Sequence, residues 1–294
     1  MIILINVNKK LIFAIAFLLC LYFSFCFVSK IKWDIKFANN YPDTILVENN
    51  KDIEDIKFDK HQFVKIQELN NDSAALLLFN KIHIKEIKIK RIPEKEVSIG
   101  GDIVAFYGDG GIYTSTTTYY EKDGTLSFMG HGITPPITST DLYLADITEI
   151  VKNSSDNIGY LKTSPILIKK IGFVLLSADN IREERGVLYN PSYNDDKYLL
   201  AFPYEIKSAP AKIILDLDGS GNKEYNIKID EVIYDDKGND FCFTITDLRL
   251  LLKTNGIVHG MSGAPIVQNN KIVGAIHSVD VENHKHGYAS FVVF

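Results

Sequence analysis

Beyond an apolar N-terminal segment the chain is predicted to be all-β, on three observations. Turn-forming clusters recur along it, at Gly108-Asp109-Gly110-Gly111, Lys122-Asp123-Gly124, Asp156-Asn157, Asn194-Asp195-Asp196, Asp218-Gly219-Ser220-Gly221-Asn222 and Asp236-Lys237-Gly238. The segments between them are short and rich in β-branched and aromatic residues, among them the threonine-rich run 114–118. Apolar and polar residues alternate strictly over 82–89, and Asn269-Asn270 separates two β-branched runs in the manner of a hairpin.

Taken in order, the chain begins with an unbroken apolar run, residues 11–28, preceded by Lys9-Lys10 and followed by Lys30 and Lys32. As a helix it would extend about 27 Å at 1.5 Å per residue, close to the thickness of a bilayer core. No small-x-small cleavage site follows, so residues 1–29 are expected to be an uncleaved membrane anchor, an N-terminal transmembrane helix. Residues 30–96 are polar and rich in Asn, Asp and Lys, broken by short strands at 44–47 and 82–89. They suggest a small β-rich module ending near Pro93, with His61 and His83 solvated or on strand faces. Residues 97–294 form the remaining domain, within what 294 residues allow.

Composition narrows the partners. With 32 basic against 37 acidic residues and a net charge of -5, no basic field points to nucleic acid. Cys20 and Cys26 lie in the apolar run and Cys242 in an expected buried strand, so the chain is no disulfide scaffold. No cofactor or metal is expected. Asp218, Ser220 and Asn222 are spaced like calcium ligands, but Ile229 stands near the position that should be acidic, which favours a hairpin turn. His284 and His286, with Asp280 and Glu282, have a spacing that could hold a metal; a solvated hairpin end explains it as well.

The chemistry concentrates at Gly256-Ile257-Val258-His259-Gly260-Met261-Ser262-Gly263-Ala264-Pro265. A glycine-flanked serine between apolar runs, ahead of a hairpin, is how a nucleophile is presented. Gly260 and Gly263 allow a sharp turn that projects the Ser262 hydroxyl and converges main-chain N–H groups, those of Gly260 and Ser262, as an oxyanion hole. Gly-x-Ser-Gly-x-Pro looks like the nucleophile loop of chymotrypsin-like serine peptidases; a plain glycine turn is the alternative. Upstream, Asp247-Leu248-Arg249-Leu250-Leu251-Leu252 reads as a short helix capped by Thr246 or Asp247 and stopped at Asn255-Gly256.

The fuller segment 254–266 resembles the stage IV sporulation protein B (SpoIVB) signalling serine peptidase family. Gly124-Thr125-Leu126-Ser127-Phe128-Met129-Gly130-His131-Gly132-Ile133 is similar to its histidine motif, Ile245-Thr246-Asp247-Leu248-Arg249-Leu250-Leu251 to its aspartate motif, and residues 203–218 to its central strands. The resemblance implies a secreted or membrane-tethered endopeptidase with a chymotrypsin-like double β-barrel. It also implies an extracytoplasmic catalytic domain, between forespore and mother-cell membranes. Its expected substrate is a membrane-associated protein, the regulatory subunit of an intramembrane protease complex, and it would cleave itself. In this triad His131 takes the serine proton and Asp247, fifteen residues before Ser262, holds the imidazole. His259 and His277 remain alternatives as base, capping remains an alternative for Asp247, and Asp102, Asp109 and Asp146 are the other candidate carboxylates.

The sequence departs from the family in three places. Only about thirty residues separate Gly100 from His131, too few for the PDZ domain that relatives carry there. Ala264 replaces a usual serine, and 134–141 differs from the acidic segment that follows the histidine in relatives. The competing expectation is a catalytically inactive, peptidase-like module that binds a membrane partner.

Overall fold

The computed structural model describes residues 9–79, 81–108, 111–128, 140–175, 184–190, 196–234 and 240–292. By internal contacts the chain divides into two units, residues 1–45 with 52–89, and residues 46–51 with 90–294.

The first unit opens with helix α1 (Lys9–Asn40), followed by strands β1 (Thr44–Glu48), β2 (Val64–Asn70), β3 (Ser73–Leu78) and β4 (Ile82–Ile92), paired in the order β1-β4-β3-β2. The expected anchor 11–28 lies inside α1. Among the described residues no helix is long and apolar enough to cross a membrane, and the side chains of residues 9–16 are not among those described.

The helix runs on to Asn40, through residues expected to open the β-rich module, and its sequence shows why. Asp34, Phe37 and Ala38, with Tyr41 just past the end, recur at i, i+3, i+4, i+7 and form one buried face. Phe37 stacks on His61 with ring centroids 3.8 Å apart and meets Phe58 edge-on. His61 Nδ1 lies 3.0 Å from Asp34 Oδ1, while Asp34 Oδ2 accepts from the Phe63 N–H at 3.2 Å. His61 is therefore a buried, hydrogen-bonded residue and not a solvated one; His83 is exposed on β4. Residues 17–28 of the same helix are exposed on every side.

The second unit is mostly β, as expected. Its strands are β5 (Glu96–Ile99), β6 (Ile103–Gly108), β7 (Gly111–Tyr120), β8 (Thr125–Phe128), β9 (Asp141–Val151), β10 (Tyr160–Leu175), β11 (Glu184–Leu188) and β12 (Lys197–Leu200). After these come β13 (Pro210–Leu215), β14 (Lys223–Val232), β15 (Phe241–Ile245), helix α2 (Leu248–Thr254), β16 (Pro265–Gln268), β17 (Lys271–Val279) and β18 (His286–Phe291).

Hydrogen-bonded neighbours form two closed circuits of six strands. One runs β7-β6-β9-β10-β11-β8 and closes through β8 on β7; the other runs β16-β13-β14-β15-β18-β17 and closes through β17 on β16. Closure leaves no free edge within either circuit. Val104, Phe106, Leu126, Phe128, Leu142 and Val174 pack in the first. β12 joins the two, parallel to β17 and antiparallel to β5, which in turn pairs with β7. Around that junction Val97, Ile99, Tyr119, Leu200, Ile214, Val267, Ile272 and Val292 form a core.

Several turns match their sequence signals. Asn269 and Asn270 both take positive φ, 52° and 60°, the two-residue geometry that fits a hairpin's twist. The 218–222 segment is the β13–β14 turn, and Cys242 is buried in β15. The expected turns at 108–111, 194–196 and 236–238 fall partly or wholly outside the described residues, as does His131.

Candidate active site

Ser262 sits between α2 and β16, on a loop whose backbone is fixed from several sides. Gly260 and Gly263 adopt φ of +99° and +92°, values that L side chains rarely reach. A Cβ on Gly260 would also lie 3.1 Å from the Leu161 side chain. Strand β7 supplies the main restraint. Thr116 Oγ1 donates to the Gly260 carbonyl at 2.8 Å and Thr118 Oγ1 to the Gly263 carbonyl at 2.7 Å. Ser115 Oγ and the Thr116 N–H both donate to the Ser262 carbonyl at 2.9 Å. These hydroxyls are almost fully buried, where each unmet hydrogen bond would cost about 1–3 kcal/mol.

Two further bonds set the peptide planes around the serine. The Leu161 N–H donates to the His259 carbonyl at 2.9 Å, and the Ala264 N–H to the Met261 carbonyl at 3.0 Å. In a trans peptide C=O and N–H point oppositely, so the N–H groups of Gly260 and Ser262 are turned away from these donors. Neither N–H has a partner among the described residues. Two unengaged donors on either side of Met261 are thus left available to a negative oxygen at the cleft.

Ser262 borders a cleft of 570 Å³. Its lining includes His259 and Gly260, residues 276–279 of β17, and Tyr113 and Thr114 of β7. Among the described residues its lining is largely apolar, with Ile158, Ile257, Val258, Ile276 and Val279, and holds no carboxylate, lysine or arginine. The Ser262 hydroxyl donates to the His277 carbonyl at 3.1 Å. His259 and His277, the alternative bases, are thus both in the cleft, His277 meeting the serine through its main chain.

Asp247 lies elsewhere in the pattern. It is the N-cap of α2, and Oδ1 accepts from the Arg249 N–H at 2.9 Å. Oδ1 also accepts from Arg249 Nε at 3.1 Å, while Oδ2 accepts from Arg249 Nη2 at 2.7 Å and the Asn226 N–H at 3.1 Å. Hydrogen bonds from the Arg249 side chain hold this carboxyl well below the usual carboxylate range, with those of the Asn226 and Arg249 amides adding to them against the cost of burial. Asp247 is not among the described residues lining the cleft.

The remaining candidates have local roles. Asp102 Oδ2 accepts from the Tyr120 hydroxyl at 2.7 Å; burial first, then this carboxylate, pushes the phenol well above its ordinary value. Asp146 is exposed on β9, and Asp109 falls outside the described residues. Asp218 pairs with Lys223 and Lys253, and its Oδ1 accepts from the Ser220 N–H and hydroxyl within the turn. His284 and His286 lie at the β17–β18 connection, with His286 Nδ1 3.5 Å from Asp280 Oδ2. Among the described residues no group of three or more His, Cys, Asp or Glu is placed to hold a metal.

Ser115, Thr116 and Thr118 were not singled out for any role in the sequence, where their run read only as strand. The usable signal was a row of hydroxyls on both faces of one strand, which must find acceptors on both sides once buried.

Comparison with known proteins gives one family match: the family described as SpoIVB peptidase S55 matches residues 106–293. No curated protein matches the chain. Similar solved structures include the Rv3671c protease of M. tuberculosis. Its inactive form is 14% identical, with 65% of this chain and 83% of that chain covered and a TM-score of 0.38. Its active form is 10% identical, with 65% and 76% covered and a TM-score of 0.35. GrC is 11% identical, with 66% and 93% covered and a TM-score of 0.40.

Proposed function

The chain belongs to the SpoIVB peptidase S55 family, and from that membership we propose that it is an extracytoplasmic serine endopeptidase with a double β-barrel catalytic domain, tethered to the membrane through residues 11–28. The observation that carries the reading is the loop at Ser262, with its hydroxyl at a cleft and the N–H groups of Gly260 and Ser262 left unengaged. The two closed six-stranded circuits support the double barrel. The all-round exposure of apolar residues 17–28 supports the tether.

In the proposed reaction His131, as neutral imidazole, removes the Ser262 proton while Oγ attacks the scissile carbonyl. The developing oxyanion is bound by the N–H groups of Gly260 and Ser262. His131 then protonates the leaving amine, and water releases the acyl group by the same steps in reverse order. Asp247 is the proposed orienting carboxylate. The proposed substrate is a membrane-associated regulatory protein, with self-cleavage as a second reaction.

The test is labelling of the folded protein by a fluorophosphonate, followed by peptide mapping. Label is expected at Ser262, and Ser262→Ala and His131→Ala are each expected to abolish it without loss of fold. Label at another residue, or a folded wild-type protein that takes none, overturns the reading. A second reading, an inactive binding module, is favoured by the four hydrogen bonds that already engage Asp247. A folded protein that binds a membrane partner yet never reacts with the probe would establish it.

A further inference from the structure

One end of the small sheet in the first unit lies beside α1 where the helix changes character. Phe27, near the close of the apolar run, has its ring centroid 5.7 Å from that of Phe63 and 6.2 Å from that of Phe79. Phe63 precedes β2, and Phe79 lies in the β3–β4 turn, its N–H bonded to the Phe63 carbonyl at 2.9 Å. Lys30 Nζ stands 5.5 Å over the Phe63 ring and donates to Gln62 Oε1 at 2.9 Å. The buried Asp34–His61 pair, one turn further along, fixes helix and sheet in this register.

Large apolar side chains remain in the open at this end: Trp33 is 60% exposed, Phe79 39% and Ile82 53%. Cations sit among them. Lys60 and Lys81 are exposed, and Ser29, Lys30, Trp33, Lys60 and Gln62, with the paired Asp34 and His61, line a recess of 430 Å³. An aromatic and apolar rim studded with lysines, continuous with the exposed apolar residues 17–28 of α1, matches the composition that partitions to the headgroup layer. Trp33 is about 7 Å beyond Val28 along the helix, at 1.5 Å per residue, within the depth of that layer.

We propose that Trp33, Phe79 and Ile82, with Lys30, Lys60 and Lys81, form a collar that seats the first unit on the surface of an anionic lipid bilayer. The occupant is lipid because the patch continues the exposed apolar surface of α1, and anionic because its rim carries lysines. The proposal rests on the membrane part of the function proposed above and is independent of the peptidase chemistry.

Trp33 is the single tryptophan of the chain, which makes the collar directly readable. The full chain is reconstituted into vesicles of phosphatidylcholine and phosphatidylglycerol in which part of the lipid is brominated, either near the headgroup or deep in the acyl chain. Trp33 emission is expected to shift to the blue and to lose more intensity with shallow bromines than with deep ones. The double variant Trp33→Phe, Ile82→Trp moves the indole to the sheet end and is expected to behave the same way. Water-like, unquenched emission from that variant, in protein that still floats with the vesicles, overturns the collar while leaving the tether intact. Protein that does not float overturns both. Lys30→Gln, Lys60→Gln and Lys81→Gln together are expected to reduce the quenching at position 82 at least twofold; quenching equal in neutral and anionic vesicles overturns the choice of anionic lipid.

Discussion

Ser262 and Asp247 are fifteen residues apart and both are candidates for the chemistry on sequence, yet the structure treats them in opposite ways. At Ser262 the main chain is held and the side chain is left available: β7 grips the carbonyls of residues 260, 262 and 263, and the hydroxyl has one backbone acceptor at the edge of a cleft. At Asp247 the side chain itself is the restraint, tying α2 to β14 through Asn226 and carrying Arg249 on both oxygens. Spacing in a motif identifies residue types at the right intervals, but which neighbours a carboxylate faces is decided by the sheet around it.

Substitutions at the two positions sharpen that contrast. Asp247→Asn should slow fluorophosphonate labelling or self-cleavage by about 10⁴-fold if the carboxylate orients the imidazole. Asparagine caps helices about as well as aspartate but offers one acceptor oxygen where Asp247 uses two, so the variant should lose about 1–3 kcal/mol of stability while keeping its fold, and its labelling is compared at a temperature where both proteins are folded. A labelling rate within a few fold of wild type would return Asp247 to capping and move the search to Asp102, Asp109 or Asp146.

Thr116→Val tests the other side. It keeps the shape of a buried β-branched residue but removes the donor to the Gly260 carbonyl, leaving that acceptor unmet at a cost of about 1–3 kcal/mol. Labelling should fall about tenfold as the loop loses its set position. Thr244→Val, whose hydroxyl donates to Asp230 Oδ2 at 2.6 Å, away from the loop and the cleft, should leave the rate nearly unchanged. Equal effects of the two would break the assignment of the clamp.

The smallest expected effect is on stability against pH. Asp247 titrates lower in the folded than in the unfolded chain, so its charge stabilises the fold above the unfolded value of about 4 and loses that contribution as pH falls through the depressed native value. Arg249 is largely exposed, which limits the charge contribution to less than about 1 kcal/mol. The wild-type advantage over Asp247→Asn in urea unfolding should therefore be constant near neutrality and shrink on acidification. An advantage that grows toward acid would mean the pair does not form.

Much of this was legible because it rests on local chemistry. The Asn-Asn hairpin, the αL cap at Asn255 and the short helix after Asp247 follow from turn and cap preferences within a few residues. The continuation of α1 past Lys30 was missed: polar residues such as Lys30, Lys32, Asp34 and Lys36 masked the buried stripe Asp34, Phe37, Ala38, Tyr41, and the partner that makes Asp34 burial possible, His61, is distant in sequence. The role of residues 115–118 was missed for the same reason, since nothing within the strand says which carbonyls its hydroxyls will meet. His131 was assigned from its motif and lies outside the described residues.

The grip of β7 on the serine loop joins residues 144 to 147 positions apart. On a ribosome adding roughly 5–20 residues per second, the strand is made about seven to thirty seconds before the loop it must hold. Closing so long a stretch of chain is slow compared with forming a helix or hairpin. Assembled in this order, the serine loop has no set backbone until residues 260–263 have followed β7 off the ribosome and closed on it, so the chain made before them meets no fixed loop while it is still unfolded.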